Sequence, residues 1–195
     1  IADQLAAMAK VFLKPELTGW YTFFGVILYA FQIYADFDAY SNVAIGISRM
    51  MGFHLGRNFH SPYLSSSIAE FWRRWHISLS SWLRDYIYIP LGGNRKGPIR
   101  KAVNILIVFL VSGLWHGSTM MFLVWGFGHA LVHIIEGGLK PYVKNQKWMS
   151  YLKPVWILVH FLIVAVLWVF FRSASMTEAT DILHLSLIHI SEPTR

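Results

Sequence analysis

His116 lies in "VSGLWHGSTMMFLVWG", Val111–Gly126, with Gly113 and Gly117 close by and apolar residues on both sides. Histidine, with an ordinary pKa near 6.5, can take a proton from a hydroxyl and pass it on at neutral pH. His76 lies in a second stretch, "FWRRWHIS", Phe71–Ser78, among tryptophans and arginines. Gly113 and Gly117 are expected to leave room for a substrate. The bland alternative is a packing histidine bonded to a neighbouring carbonyl.

The elements that must position these histidines are those of a membrane protein. Of 195 residues 55% are hydrophobic and 14% charged, where a soluble domain carries roughly a quarter charged; mean hydropathy is +0.45. The fold class expected is all-α and polytopic. The absence of cysteine excludes disulfides, thiolate chemistry and Cys-ligated zinc. A net charge of +7 points to cytoplasmic loops and anionic lipid headgroups rather than nucleic acid.

Trp20–Tyr34, extended upstream to Leu17, and Val155–Phe171 are predicted to span the bilayer. Val103–Trp115 and Thr119–Ile135 flank the His116 turn. Val103–Trp115 rises only about 20 Å as a helix, against a hydrocarbon core of about 30 Å, so His116 is expected to stop inside the membrane. Arg84, Arg95, Lys96, Arg100 and Lys101 precede this hairpin, and Lys140, Lys144, Lys147 and Lys153 follow it, so both basic loops can face the cytoplasm. Irregular backbone at membrane depth must be surrounded by protein or line a water-filled cavity, and the turn Gly113–Gly117 is read as lining a pocket. Trp72, Trp75 and Leu79 share one face if Ser65–Gly97 begins as a continuous helix, an amphipathic element with tryptophan at headgroup depth.

Lesser candidates follow the same logic. His129, His133 and Glu136 have a spacing that can hold zinc, but no HExxH pattern is present and no metal is assigned. His160 reads as a packing histidine, Arg172 as an interface anchor, and His54 and His60 as loop residues. Ile1 is not an initiator methionine, and the first residues carry neither a charged n-region nor a signal-peptide cleavage site, so the chain is read as the interior of a longer protein. Residues 185–195, "LSLIHISEPTR", can be encoded by a sequencing-library adapter and are set aside, leaving 1–184 as a partial transmembrane domain.

"FWRRWHISLSSWLRDYIYIPLGGNRKG", "GLWHGS" and "WGFGHA", together with "DFDAYSN", "NFHSPY" and "WVFFRSASMTEATDIL", resemble the membrane-bound O-acyltransferase family in its alginate O-acetyltransferase-type branch. The resemblance runs in order from Ile1 to about His184. It implies a ring of helices around a thin centre where funnels from both faces meet, with His116 as the family's central histidine and His76 as its second. For the acyl transfer it implies, a thioester needs no metal, only a base near the nucleophile and a donor for the developing oxyanion; His116 is then the base, and His76 or backbone amides the orienting donor. It also implies that Trp115, Gly117, His129, Asp36, Trp75 and Arg74 line the substrate pocket. "DFDAYSN", Asp36–Asn42, departs from the branch's usual Asp-Phe-Ser-Gly-Tyr-Ser-Asp at Asp38, Ala39 and Asn42, which implies a different substrate or partner. The implied activity moves an acyl group, acetyl above all, from a cytoplasmic thioester towards an extracytoplasmic polysaccharide such as alginate. The donor, acetyl-CoA or acyl carrier protein, is a substrate rather than a bound cofactor. The implied partners are that donor, membrane lipid and a separate extracytoplasmic acetyltransferase; the implied location is the bacterial inner membrane. From the residues alone, a non-catalytic conduit or scaffold holding anionic lipid stays open beside the enzyme.

Overall fold

The computed structural model describes residues 1–14, 17, 19–143 and 151–188. The described residues are helical, with turns and no strand, and fall into two compact units, Ile1–Leu55 with Val164–Arg195, and Gly56–Ile163.

The first unit holds α1 (Ala2–Phe12), α2 (Trp20–Met50), the end of α7 (Lys153–Arg172) and α8 (Met176–Ile188). Gly25 lets α2 lie against the end of α1, where a Cβ would stand 2.8 Å from Leu13 Cγ. Thr22 Oγ1 donates to the Leu17 carbonyl at 2.8 Å, and Gly19 N–H to the Leu185 carbonyl at 2.9 Å. Ser175 and Glu178 start α8 with a capping pair: Ser175 Oγ accepts from Glu178 N–H and Glu178 accepts from Ala174 N–H. Arg172, expected as a headgroup anchor, places its guanidinium 5.5 Å from the Tyr29 ring centre. Of the stretch set aside, residues 185–188 continue α8, while 189–195 lie outside the described residues, as do Lys144 and Lys147.

The second unit is built on a hairpin of α5 (Gly97–His116) and α6 (Met120–Val143). α5 corrects the short-helix expectation. It begins six residues before Val103, with Gly97 at a φ of +84° and Pro98 in the first turn, and has 20 residues. That is about 30 Å of rise. Arg100 and Lys101 belong to this helix rather than to the loop, because both are good helix formers and the apolar run marks only the part suited to hydrocarbon. α5, α6 and α7 are long and apolar enough to cross a membrane. α2 is not among them: the predicted span Trp20–Tyr34 continues unbroken to Met50, and Tyr residues, Gln32, Asp36 and Asp38 dilute its apolar character.

Where α5 and α6 cross, each presents a glycine to the other's backbone. A Cβ on Gly113 would strike the Phe122 carbonyl, and one on Gly126 the Phe109 carbonyl. The room at Gly113 is therefore taken by α6 and not by substrate, which corrects the sequence reading. Gly117 is similar, with the Phe122 ring occupying the space its side chain would need.

The expected interfacial helix is instead two seven-residue helices, α3 (Ile68–Arg74) and α4 (Ile77–Leu83), followed by a π-helical turn at Arg84–Tyr88. Trp75 is buried, 3% exposed, and Trp72 packs on Phe109 and Trp125, so these rings face protein and not headgroups. Trp82 and Tyr86, tilted against each other at 5.3 Å between centroids, are an exposed aromatic pair.

Ser67 caps α3 by accepting from Glu70 N–H, and Glu70 accepts back from Ser66. The anchor of α3 comes from far along the chain. Glu136 on α6 accepts the Ile68 N–H at 2.9 Å and meets His160 Nε2 of α7 at 2.5 Å, while His160 Nδ1 lies 2.6 Å from the Trp156 carbonyl. A carbonyl only accepts, so Nδ1 donates to it, and one proton is shared between Nε2 and the carboxylate. His160 is thus an anchor and not a packing residue only. A further brace is Asn104, wholly buried on α5, whose amide donates to the Leu91 and Gly93 carbonyls and holds the preceding glycine turn.

Two outcomes follow for the purified, detergent-solubilised protein. Gly126→Val should force the α5–α6 backbones apart and lower stability by about 1–3 kcal/mol, read as a fall in the thermal unfolding midpoint; an unchanged midpoint would contradict the crossing. Glu136→Ala, which strands the Ile68 N–H and His160, should cost about 1–3 kcal/mol. Glu136→Gln, able to accept from Ile68, should cost less.

Candidate active site

His116 is the last residue of α5, half-buried and walled by aromatic rings. Trp115 stands edge-on at 4.9 Å between centroids, Trp125 edge-on at 5.2 Å and Phe122 tilted at 6.1 Å. The helix ends there because Gly117 and the next two residues turn the chain directly into α6, which returns Trp125 beneath the histidine.

His76 reaches the same place from the break between α3 and α4. Its ring lies 6.0 Å from that of Trp115, and His116, the residue after Trp115, acts on it electrostatically. His76 has a φ of +44°, a left-handed conformation uncommon outside glycine but accessible to histidine more often than to most residues. Neighbours over-determine this strained backbone, as the persistence of such a conformation requires. Ile77 N–H donates to the Asn58 carbonyl at 2.9 Å, and His60 N–H to the Arg74 carbonyl at 2.9 Å. Trp75 is wedged among Phe59, Tyr63 and Phe71. Asn58 Oδ1 lies 3.3 Å from His76 Nδ1. Burial, with the neighbouring His116 adding to it, pushes the His76 pKa down to about 4. At neutral pH its imidazole is uncharged, the form that can accept a proton.

The remaining expected residues divide. Trp115 sits between the two histidines and is 61% exposed. Trp75 and Gly117 flank the site but are occupied by packing. His129, expected to line the pocket, is fully enclosed: its ring is stacked or edge-on with Phe71, Trp72, Phe109 and Trp125, and its Nδ1 accepts from Trp72 Nε1 at 3.3 Å. It supports Trp125, the floor under His116, and meets no open space. Arg74 is engaged by Glu70 in an ion pair at 2.7 Å. Asp36 lies on α2 in the first unit. His129, His133 and Glu136 serve three different neighbourhoods, the aromatic cluster, an open groove and the α3 anchor.

That groove, about 620 Å³, runs between α3, α4 and the π-helical turn on one side and the α5–α6 hairpin on the other. Its α5 wall is Ile105, Val108, Phe109 and Ser112, one helix face that ends a single turn before His116. Arg73, Arg84 and His133 bring positive or proton-accepting groups to otherwise apolar walls. Sequence reasoning missed Asn58, Ser112 and the Glu136–His160 pair. The Ser67-x-x-Glu70 spacing was a readable sign that a helix begins just before the histidine motif; for Asn58 no local signal exists.

The family model of the membrane-bound O-acyltransferases matches residues 4–179. The chain is similar to a probable alginate O-acetylase, AlgI, of Pseudomonas putida, 45% identical over 92% of this chain and 36% of that protein. It is also similar to the peptidoglycan O-acetyltransferase of Helicobacter pylori, 37% identical over 98% and 38% of the two chains, and to a teichoic acid D-alanyltransferase of Bacillus subtilis, 30% identical over 62% and 32%. The chain thus spans about a third of the length of these curated relatives. With three helices among its described residues long and apolar enough to cross a membrane, and a family match over nearly the whole sequence, this chain belongs to the membrane-bound O-acyltransferase family as part of a multi-pass membrane protein.

Proposed function

We propose that the protein carrying this chain transfers an acyl group, acetyl above all, from a cytoplasmic thioester across the bacterial inner membrane to hydroxyls of a cell-envelope polysaccharide. The observation that carries the reading is the convergence of His76 and His116 on either side of Trp115, at the end of a membrane-crossing helix. The relatives bear the names of transferases to alginate, peptidoglycan and teichoic acid, all envelope polymers with hydroxyls.

Depth supports a site within the bilayer. With Arg100 and Lys101 held at the cytoplasmic headgroups, His116 lies about 22 Å further along α5, short of a hydrocarbon core of about 30 Å. The groove supports donor entry from that same side: its apolar walls suit an extended thioester arm, and Arg73 and Arg84 suit the phosphates of acetyl-CoA or of an acyl carrier protein's prosthetic arm. In the transfer, the acceptor hydroxyl loses its proton to a histidine as its oxygen bonds to the thioester carbonyl carbon. The carbon–sulfur bond then breaks, and the departing sulfur takes the proton. Trp125 and the enclosed His129 keep the base fixed and water away. An extracytoplasmic acetyltransferase completes delivery to the polymer, as the family resemblance implies.

His116→Ala in the full-length protein should abolish O-acetylation of the host polysaccharide, measured as ester content, while membrane insertion is unchanged. Normal ester content in that variant would return the chain to the conduit reading. Reporter tags after Gly97 and after Lys144 should both report cytoplasm; opposite sides would contradict the donor route.

A further inference from the structure

We propose that Asn58 is a positioning residue that locks His76 in the tautomer protonated on Nδ1, which leaves Nε2 as the ring nitrogen that carries the lone pair. The proposal rests on the acyl-transfer reading for its chemical meaning, though not for the tautomer itself.

Hydrogen-bond logic assigns the atoms. Asn58 Oδ1 lies 3.2 Å from the backbone nitrogen of Ser78. A backbone N–H can only donate, so the atom facing it is the amide oxygen and not the amide nitrogen. That oxygen also accepts from Ser78 Oγ at 3.0 Å and stands 3.3 Å from His76 Nδ1. Two acceptors cannot bond, so the hydrogen between Asn58 and His76 belongs to Nδ1. Ser78 Oγ, its own hydrogen given to Asn58, lies 3.3 Å from the same Nδ1 and presents a lone pair to it. Asn58 Oδ1 and Ser78 Oγ thus select the same tautomer. The backbone bonds Ile77 N–H to Asn58 carbonyl and His60 N–H to Arg74 carbonyl fix the distance between the two segments. The left-handed backbone of His76 aims the ring.

A neutral imidazole with its proton on Nδ1 carries a lone pair on Nε2 and cannot donate from that atom. His76 is therefore a hydrogen-bond and proton acceptor, which reverses the donor role expected from sequence. His116 from α5 acts on His76 electrostatically, Arg74 two residues before it is held by Glu70 in an ion pair, and Asn58 and Ser78 are uncharged. Burial keeps His76 neutral near pH 7.

The test is solid-state NMR of side-chain nitrogens in the full-length protein, labelled at histidine and reconstituted in phosphatidylglycerol–phosphatidylethanolamine bilayers, with the His76→Gln spectrum identifying the His76 signals. Wild-type His76 should show a protonated Nδ1 and an unprotonated Nε2 at pH 7. A protonated Nε2 there overturns the proposal, whether or not any Asn58 variant folds. Asn58→Asp keeps the acceptor oxygen and adds a charge, so it should retain the tautomer and raise the His76 titration midpoint by about one to three units; an unmoved midpoint also counts against the contact. Asn58→Ala should lower O-acetyl ester content about tenfold or more, the consequence of a wrong tautomer, and Asn58→Asp should lower it less. Should His76→Gln and His116→Ala leave ester content unchanged, the acyl-transfer reading fails while the NMR result still decides the tautomer.

Discussion

The close approach of α5 and α6 is the constraint on which the site depends. Two helices in hydrocarbon gain little from burying apolar surface against each other, because lipid is as apolar as leucine; they gain from van der Waals contact where small residues let backbones meet. Gly113 against the Phe122 carbonyl and Gly126 against the Phe109 carbonyl provide that contact, once from each side. Trp125 sits beside Gly126 and is wholly buried, so the same crossing that joins the helices sets the ring on which His116 rests. One turn further along α6, His129 accepts from Trp72 and ties the hairpin to α3. Loosening the glycine crossing would move base, floor and support together.

The second histidine is held by a different device. His76 occupies a strained conformation between two helices too short to be stable alone. α3 is fastened at its start by Glu136 with His160 behind it, and at its end by the Asn58–His60 segment bonded across Arg74 and Ile77. Fixing both ends leaves the break between them as the one place the chain can turn, and His76 is there. The polar anchors are satisfied by partners on other elements, as polar groups at low dielectric must be.

The aromatic cluster gives the site its character. Phe71, Trp72, Phe109 and Trp125 surround His129, Trp75 stacks on Phe71, and together they back the reactive pair with rigid rings that exclude water without supplying charge. In such surroundings histidine stays neutral and able to accept a proton. The groove that reaches Ser112 remains open beside this cluster.

Composition and apolar runs by themselves determined that the chain is helical and lies in a membrane, and they placed α7 to within two residues at each end. His116 stood out because an ionisable group in apolar surroundings is costly, whereas His76, set among arginines, was singled out by the family resemblance. Apolar periodicity misjudged α5, whose charged first turn carries no apolar signal, and it joined α3 to α4, because a face pattern cannot register a single left-handed residue. Gly113 read as space for substrate is space for a backbone, and His129 read as pocket wall is core. Asn58 beside His76, and Glu136 beside Ile68 and His160, were decided by tertiary structure alone. A local pattern reports which environment a segment can tolerate, whereas a hydrogen bond or a backbone contact depends on a partner tens of residues away, and only the folded chain brings that partner near.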